Sequence, residues 1–115
     1  MGRALGIRAI FAERQDGALT LRRGFMLAET DRVLIVEDVL TTGGSTRETM
    51  QVATAAGGHV VGAATIVDRS GGHAAFDVPF ASLMSVNLPT YEPDRCPLCA
   101  QGLPVVKPGS RPVAI

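Results

Sequence analysis

The fold class this sequence predicts is α/β, a parallel sheet flanked by helices, and three observations predict it. Short apolar runs at 32–37, 59–67 and 80–86 have the length of buried strands and are bounded by turn residues. A stretch with helical spacing lies between the first two runs. Strands that alternate with a helix, instead of following one another as a meander, favour a parallel arrangement. Ligands of such sheets sit outside the carboxyl ends of the strands.

Taken in order, Met1-Gly-Arg-Ala-Leu-Gly reads as the end of a helix, and a strand is expected near 6–12. Residues 11–24 read as a hairpin, because Asp16-Gly17 is a strong turn dipeptide with alternating residues on both sides. The strand at 32–37 ends in two adjacent carboxylates, Glu37 and Asp38, and a hydroxyl- and glycine-rich turn follows. Ser45-Thr46-Arg47-Glu48 then fits the S-x-x-E capping box, with Ser45 as N-cap and Glu48 reaching back to its backbone N–H. Thr49, Met50, Ala53 and Ala56 continue at helical spacing, and Gly57-Gly58 supplies the stop. From Asn87 onward six prolines mark an irregular tail, which divides the chain into a core at 1–88 and a tail at 89–115. There are no internal repeats.

Composition excludes several function classes. The chain has 115 residues, at most one domain, and should bury roughly 60–70% of its unfolded surface. Lys+Arg and Asp+Glu both number 11, for a formal net charge of +0, and no basic run offers a nucleic-acid or membrane surface. Aromatic residues are 4% and Trp is absent, which leaves little for base stacking. No stretch reaches the length of a membrane span and no charged-then-apolar leader opens the chain, so a cytoplasmic protein is expected.

The chemistry concentrates at 33–45. Carboxylates accept hydrogen bonds from sugar hydroxyls, while a turn opening into a helix offers backbone N–H groups to an anion. Together they suit a phosphorylated polyol. The turn is not the triphosphate loop G-x-x-x-x-G-K-[ST], since Lys107 is the chain's single lysine, and it is not G-x-G-x-x-G. Two acids at the end of a strand are costly without something to satisfy them.

Glu37-Asp38-Val39-Leu40-Thr41-Thr42-Gly43-Gly44-Ser45 resembles the phosphoribosyl-pyrophosphate signature of type I phosphoribosyltransferases. The resemblance runs from about Ala4 through Asp68-Arg69-Ser70-Gly71-Gly72 to the Cys96-Pro-Leu-Cys99 tail. The step Ile66-Val67-Asp68-Arg69 narrows it to orotate phosphoribosyltransferase, with purine and uracil phosphoribosyltransferases, or a non-catalytic phosphoribosyl-pyrophosphate-binding regulator, as the alternatives. The resemblance implies a Rossmann-like parallel sheet whose N-terminal hood and first βα unit lie outside these residues. It also implies transfer of phosphoribosyl from phosphoribosyl pyrophosphate to orotate, in pyrimidine biosynthesis. An absent central strand would leave an open sheet edge and an exposed apolar face, from which a homodimer, or swapping of elements between copies, is expected.

Position by position, the resemblance gives Glu37 and Asp38 the ribose hydroxyls and Thr41 through Ser45 the 5′-phosphate, with Val39 and Leu40 in the same phosphoribosyl-pyrophosphate site. It places Thr41 also near the orotate ring and pairs Arg69 with orotate, whose carboxylate a planar guanidinium fork suits. The 11–24 segment matches a mobile loop over the pyrophosphate, where positive charge here comes from Arg14, Arg22 and Arg23. Arg14 is the first candidate for neutralising the leaving group, the largest electrostatic task of the reaction. Mg²⁺ is expected on the pyrophosphate, with few protein ligands and no particular side chain assigned to it. Cys96 and Cys99, the only cysteines, are read as half a zinc site, a redox pair or two thiols in a tight turn. His59 and His73 are read as loop residues.

Overall fold

In a computed structural model, which describes residues 1–104, the chain contains a hairpin, a three-stranded sheet and one substantial helix. The elements are α1 (Gly2–Leu5), β1 (Ala12–Gln15), β2 (Ala18–Leu21), β3 (Arg32–Leu40) and α2 (Gly44–Ala55). They continue with β4 (His59–Asp68), β5 (Phe80–Ser85), a 3-10 turn (Pro93–Arg95) and α3 (Pro97–Ala100). Tail prolines 108 and 112 and Lys107 lie outside the described residues.

The expected parallel sheet is present. β3, β4 and β5 pair in that order, both pairs parallel, with Ile35 opposite Ala63 and Ala63 opposite Phe80. The hairpin forms where Asp16-Gly17 places it, with Gln15 paired to Ala18. Both turn residues have positive φ, 49° and 89°, as a two-residue primed turn requires. The strand expected near 6–12 does not form. α1 ends at Leu5, Gly6 caps it in the left-handed region, and residues 7–11 have no ladder partner among the described residues. An apolar run becomes a strand only when a neighbour takes its peptide groups.

α2 ends as its sequence suggests. The N–H of Gly58 bonds to Ala53 O and that of Gly57 to Thr54 O, both at 3.0 Å, in the Schellman pattern, with Gly57 at φ 92°. Gly58 is also required by space. A Cβ there would come within 2.9 Å of both Leu27 and Val33 side chains. The chain therefore passes tightly from α2 into β4, which fixes the helix over one face of the sheet.

That face holds the core: Ile35, Ala53 and Ala63, with Leu27, Val33, Met50, Val60 and Phe80 packed against them. The core is smaller than the chain length suggests. The accessible surface is 8964 Å² for 12.0 kDa, against roughly 6,000 Å² for a compact chain of that mass. The radius of gyration, 17.1 Å, likewise exceeds the roughly 13 Å of a compact domain. Burial is thus nearer half of the unfolded surface than the expected 60–70%. Two features contribute among the described residues: the sheet is covered on one face only, and residues 87–104 are exposed apart from half-buried Cys96.

Candidate functional site

β3 runs three residues past Glu37, so the two carboxylates sit inside the strand instead of at its end. Successive strand residues point to opposite faces. Glu37 shares the α2 face with Ile35 and is bonded there. Ser45 Oγ donates to Glu37 Oε1 at 2.5 Å, and Thr46 Oγ1 donates to Glu37 Oε2. Asp38 is exposed on the other side, where Val39 N–H donates to its Oδ1 at 2.8 Å. The adjacent acids therefore have separate partners.

The helix start differs from the expected capping box. Gly43, at φ 77°, is the N-cap residue, Ser45 lies inside the first turn, and no side chain caps the helix. Ser45 turns to Glu37. Glu48 turns outward to the hairpin, accepting Leu19 N–H at 2.8 Å and Arg14 Nη2 at 2.7 Å. A guanidinium and an amide together are stronger partners for a carboxylate than one N-cap amide. The Leu19 amide first, and the Arg14 guanidinium after it, hold the Glu48 carboxyl below its ordinary 4.5.

The result is an open helix terminus. The first backbone bond of α2 runs from Arg47 N–H to Gly43 O at 3.0 Å, so the N–H groups of Gly44, Ser45 and Thr46 have no partner among the described residues. They end a loop, Thr41–Gly44, whose Thr41, Thr42 and Gly44 are exposed and whose preceding residue, Leu40, is buried. Three free donors at the positive end of a helix form an anion-binding arrangement.

Arg69 sits beside this loop because of the ladder. Leu40 pairs with Asp68, and Arg69 N–H donates to Leu40 O at 2.8 Å. The Arg69 side chain is exposed and makes no ion pair or side-chain hydrogen bond among the described residues. The loop after it is ordered by buried Asp68, which accepts Ser70 N–H at 2.7 Å, and by Ser70 Oγ, which accepts the N–H groups of Gly72 and Ala74. The hairpin arginines differ from Arg69. Arg14 pairs with Glu48, and Arg22 and Arg23 both pair with Glu13.

Arg47 is the residue the sequence reading missed. Its guanidinium donates to Thr42 O and to Ala75 O, each at 3.0 Å, and lies 5.1 Å from the centre of the Phe76 ring. It thereby ties the 41–44 loop to the loop that follows Arg69. Gly43 packs against the same pair. A Cβ there would meet Phe76 Cζ at 3.0 Å and Arg47 Nη1 at 3.2 Å. Only the i+4 spacing of Arg47 from Gly43 is visible in sequence.

Cys96 and Cys99 stand apart from the site, as free thiols in the turn carrying α3. The Cys99 amide, and then its thiol, lower the Cys96 thiol below its ordinary 9.0, while Cys96 raises that of Cys99. Among the described residues no group of three or more His, Cys, Asp or Glu side chains could hold a metal ion. No helix among them is long and apolar enough to cross a membrane.

Comparison with known proteins identifies the family. The model of the phosphoribosyl transferase domain family matches residues 9–90, which include every site residue named above. An orotate phosphoribosyltransferase of Carboxydothermus hydrogenoformans is 59% identical over 111 residues, 96% of this chain and 58% of the relative. One of Caldanaerobacter subterraneus subsp. tengcongensis is 52% identical with the same coverage. The crystal structure of adenine phosphoribosyltransferase from Leishmania donovani aligns with a TM-score of 0.45 and 28% identity, over 56% of this chain and 32% of that one. The chain spans little more than half the length of its curated relatives, and, with the family model covering most of it, it belongs to the phosphoribosyl transferase domain family.

Proposed function

We propose that this chain carries the phosphoribosyl-pyrophosphate and orotate sites of an orotate phosphoribosyltransferase. The reaction gives orotidine 5′-phosphate and pyrophosphate, a step of de novo pyrimidine (UMP) biosynthesis. The observation that carries the reading is the placement of three free helix N–H groups, two carboxylates and an unpaired arginine around the carboxyl ends of β3 and β4. The names of the relatives support orotate as the base.

In this reading the 5′-phosphate lies on the N–H groups of Gly44, Ser45 and Thr46. Asp38 takes the ribose hydroxyls directly. Glu37 joins it once sugar hydroxyls replace those of Ser45 and Thr46. Arg69 meets the carboxylate of orotate through a bidentate fork. Catalysis is orientation of the base against C1, together with charge stabilisation at the departing pyrophosphate, and needs no covalent nucleophile. Arg14 is the hairpin group for that charge, and it must leave Glu48 to reach it. Magnesium, when bound, neutralises the pyrophosphate. Asp38, with one carboxylate oxygen free of internal bonds among the described residues, would be a side chain able to hold it.

A binding-only reading has its own observation: Arg14, Arg22 and Arg23 are all ion-paired within the chain. Orotate consumption by this chain with phosphoribosyl pyrophosphate and Mg²⁺, with and without Arg69→Ala, decides between them. Turnover that depends on Arg69 supports the enzyme. Binding of phosphoribosyl pyrophosphate without turnover supports the regulator, and binding of neither ligand removes both.

A further inference from the structure

The proposed reaction uses no thiol, yet the chain's two cysteines share one ordered turn. Cys96 immediately precedes α3, Pro97 opens that helix, and Cys99 lies within it. Ala100 N–H donates to Cys96 O at 3.0 Å, and Gly102 N–H donates to Cys99 O at 3.0 Å, with Gly102 at φ 71°. The backbone on which both thiols stand is therefore set by the turn. Residues so spaced on one helical turn have Cα atoms roughly 5 Å apart, inside the range that a disulfide spans. Both thiols are free, Cys99 exposed and Cys96 half-buried, in a segment, 87–104, whose other residues are exposed.

Two other uses of such a pair fit less well. A structural zinc takes about four ligands, and among the described residues no group of three or more His, Cys, Asp or Glu side chains could hold a metal ion. A structural disulfide gains most where it closes a long loop, and 96–99 would close a very short one. A short ring at an exposed turn is suited to opening and closing instead. The two sulfurs are also unlike. The Cys99 amide, then its thiol, and the Leu98 amide after them favour the thiolate of Cys96, whereas Cys96 disfavours that of Cys99. One thiol is thus set to attack and its neighbour to resolve.

We propose that Cys96 and Cys99 form a thiol–disulfide exchange site for low-molecular-weight disulfides, with Cys96 as the attacking thiol and Cys99 as the resolving one. The Cys96 thiolate attacks one sulfur of the small disulfide, whose S–S bond breaks. One small thiolate leaves and takes up the proton that Cys96 gave to water, and a mixed disulfide remains on Cys96. Sulfur in that adduct is uncharged, so Cys96 no longer disfavours the Cys99 thiolate. Cys99 then loses its proton and attacks Cys96 Sγ. The Cys96–Cys99 bond forms, and the second small thiol departs with that proton. The protein dithiol is oxidised by two electrons, and the small disulfide is reduced to two thiols. A low-molecular-weight thiol drives the same steps in reverse. The site stands apart from the proposed phosphoribosyl transfer and does not rest on it.

The test takes the whole 115-residue chain, with glutathione and glutathione disulfide as the probes. Acid quenching, maleimide labelling and mass spectrometry should find the Cys96–Cys99 disulfide within one chain, and excess glutathione should restore both thiols. Cys99→Ser should retain glutathione on Cys96. At neutral pH it should take up that adduct about tenfold faster, or more, than Cys96→Ser does at Cys99. Concentrated urea, which removes the turn, should level the two rates. Both substitutions lie outside the core of Ile35, Ala53 and Ala63, so the fold is kept. Adducts on both thiols with no bond between them, disulfides between chains in its place, equal native rates, or a difference that survives urea overturns the proposal. So does a zinc ion shared by two chains that shields the thiols until it is chelated.

Discussion

Gly43→Ala is the smallest change that separates the anion loop from the rest of the fold. Gly43 sits at φ 77°, where an L side chain costs roughly 1–2 kcal/mol. The new methyl would also lie 3.0 Å from Phe76 Cζ and 3.2 Å from Arg47 Nη1. Phe76 is itself held against Phe80, with ring centres 5.2 Å apart, so it yields less easily than a free side chain. Relaxing such an overpacked contact adds about 1 kcal/mol, and the total destabilisation is about 2–3 kcal/mol. At about 4 °C per kcal/mol for a chain of this length, Tm should fall by about 8–12 °C.

The functional effect should exceed the structural one. If the chain escapes the strain by leaving the left-handed region, the N–H groups of Gly44, Ser45 and Thr46 no longer converge. Each hydrogen bond to a charged group is worth about 1.5–3 kcal/mol. Loss of even one therefore weakens phosphoribosyl-pyrophosphate binding by about tenfold or more. Calorimetric titration well below the lowered Tm reads this directly, and Gly43→Val, with a bulkier β-branched side chain, should abolish binding. A folded Gly43→Ala protein with unchanged affinity would refute the assignment of the phosphate to this loop.

Other substitutions probe the remaining roles. Asp38→Asn should weaken phosphoribosyl-pyrophosphate binding about tenfold while Arg69→Ala chiefly impairs use of orotate; equal effects on both ligands in titrations would contradict the division. Arg47→Ala should raise the Kd for phosphoribosyl pyrophosphate about tenfold by freeing Thr42 and Ala75, about 1.4 kcal/mol, and Arg47→Lys should restore only part, since an ammonium lacks the fork. An Arg47→Ala protein that binds as tightly as the parent would show that the clamp does not shape the loop. Glu48 predicts a pH effect. Its carboxyl is held below 4.5 by Leu19 and Arg14, so the hairpin–helix tie is intact above that value and lost as pH falls through the lowered one. Hydrogen exchange at Leu19 should accelerate beyond its intrinsic pH dependence in that acid range, and Glu48→Gln should remove most of the effect.

What the sequence disclosed, and what it did not, divides by distance along the chain. The Asp16-Gly17 turn and the Gly57-Gly58 stop rest on neighbours within a few residues, the three parallel strands are each marked by their own apolar run, and all stand in the structure. The capping box was equally local and failed. Glu48 found Leu19 and Arg14, 29 and 34 residues away, and Ser45 found Glu37 across the loop. A carboxylate's choice among partners is set by which donors the fold brings near, and spacing alone does not report it. Arg47 is the same case: its bonds to Thr42 and Ala75 exist because β4 returns the chain to the back of the loop.

The strand expected at 6–12 makes the converse point. Its residues have the apolar pattern of a strand, but peptide groups, unlike apolar side chains, need a partner at hydrogen-bonding distance. Pattern therefore records what a segment is suited to become, and the ladder records what its surroundings allow. The same holds for Leu34, Val36, Ile66 and Leu83, apolar residues suited to burial that stand exposed on the sheet face turned away from α2.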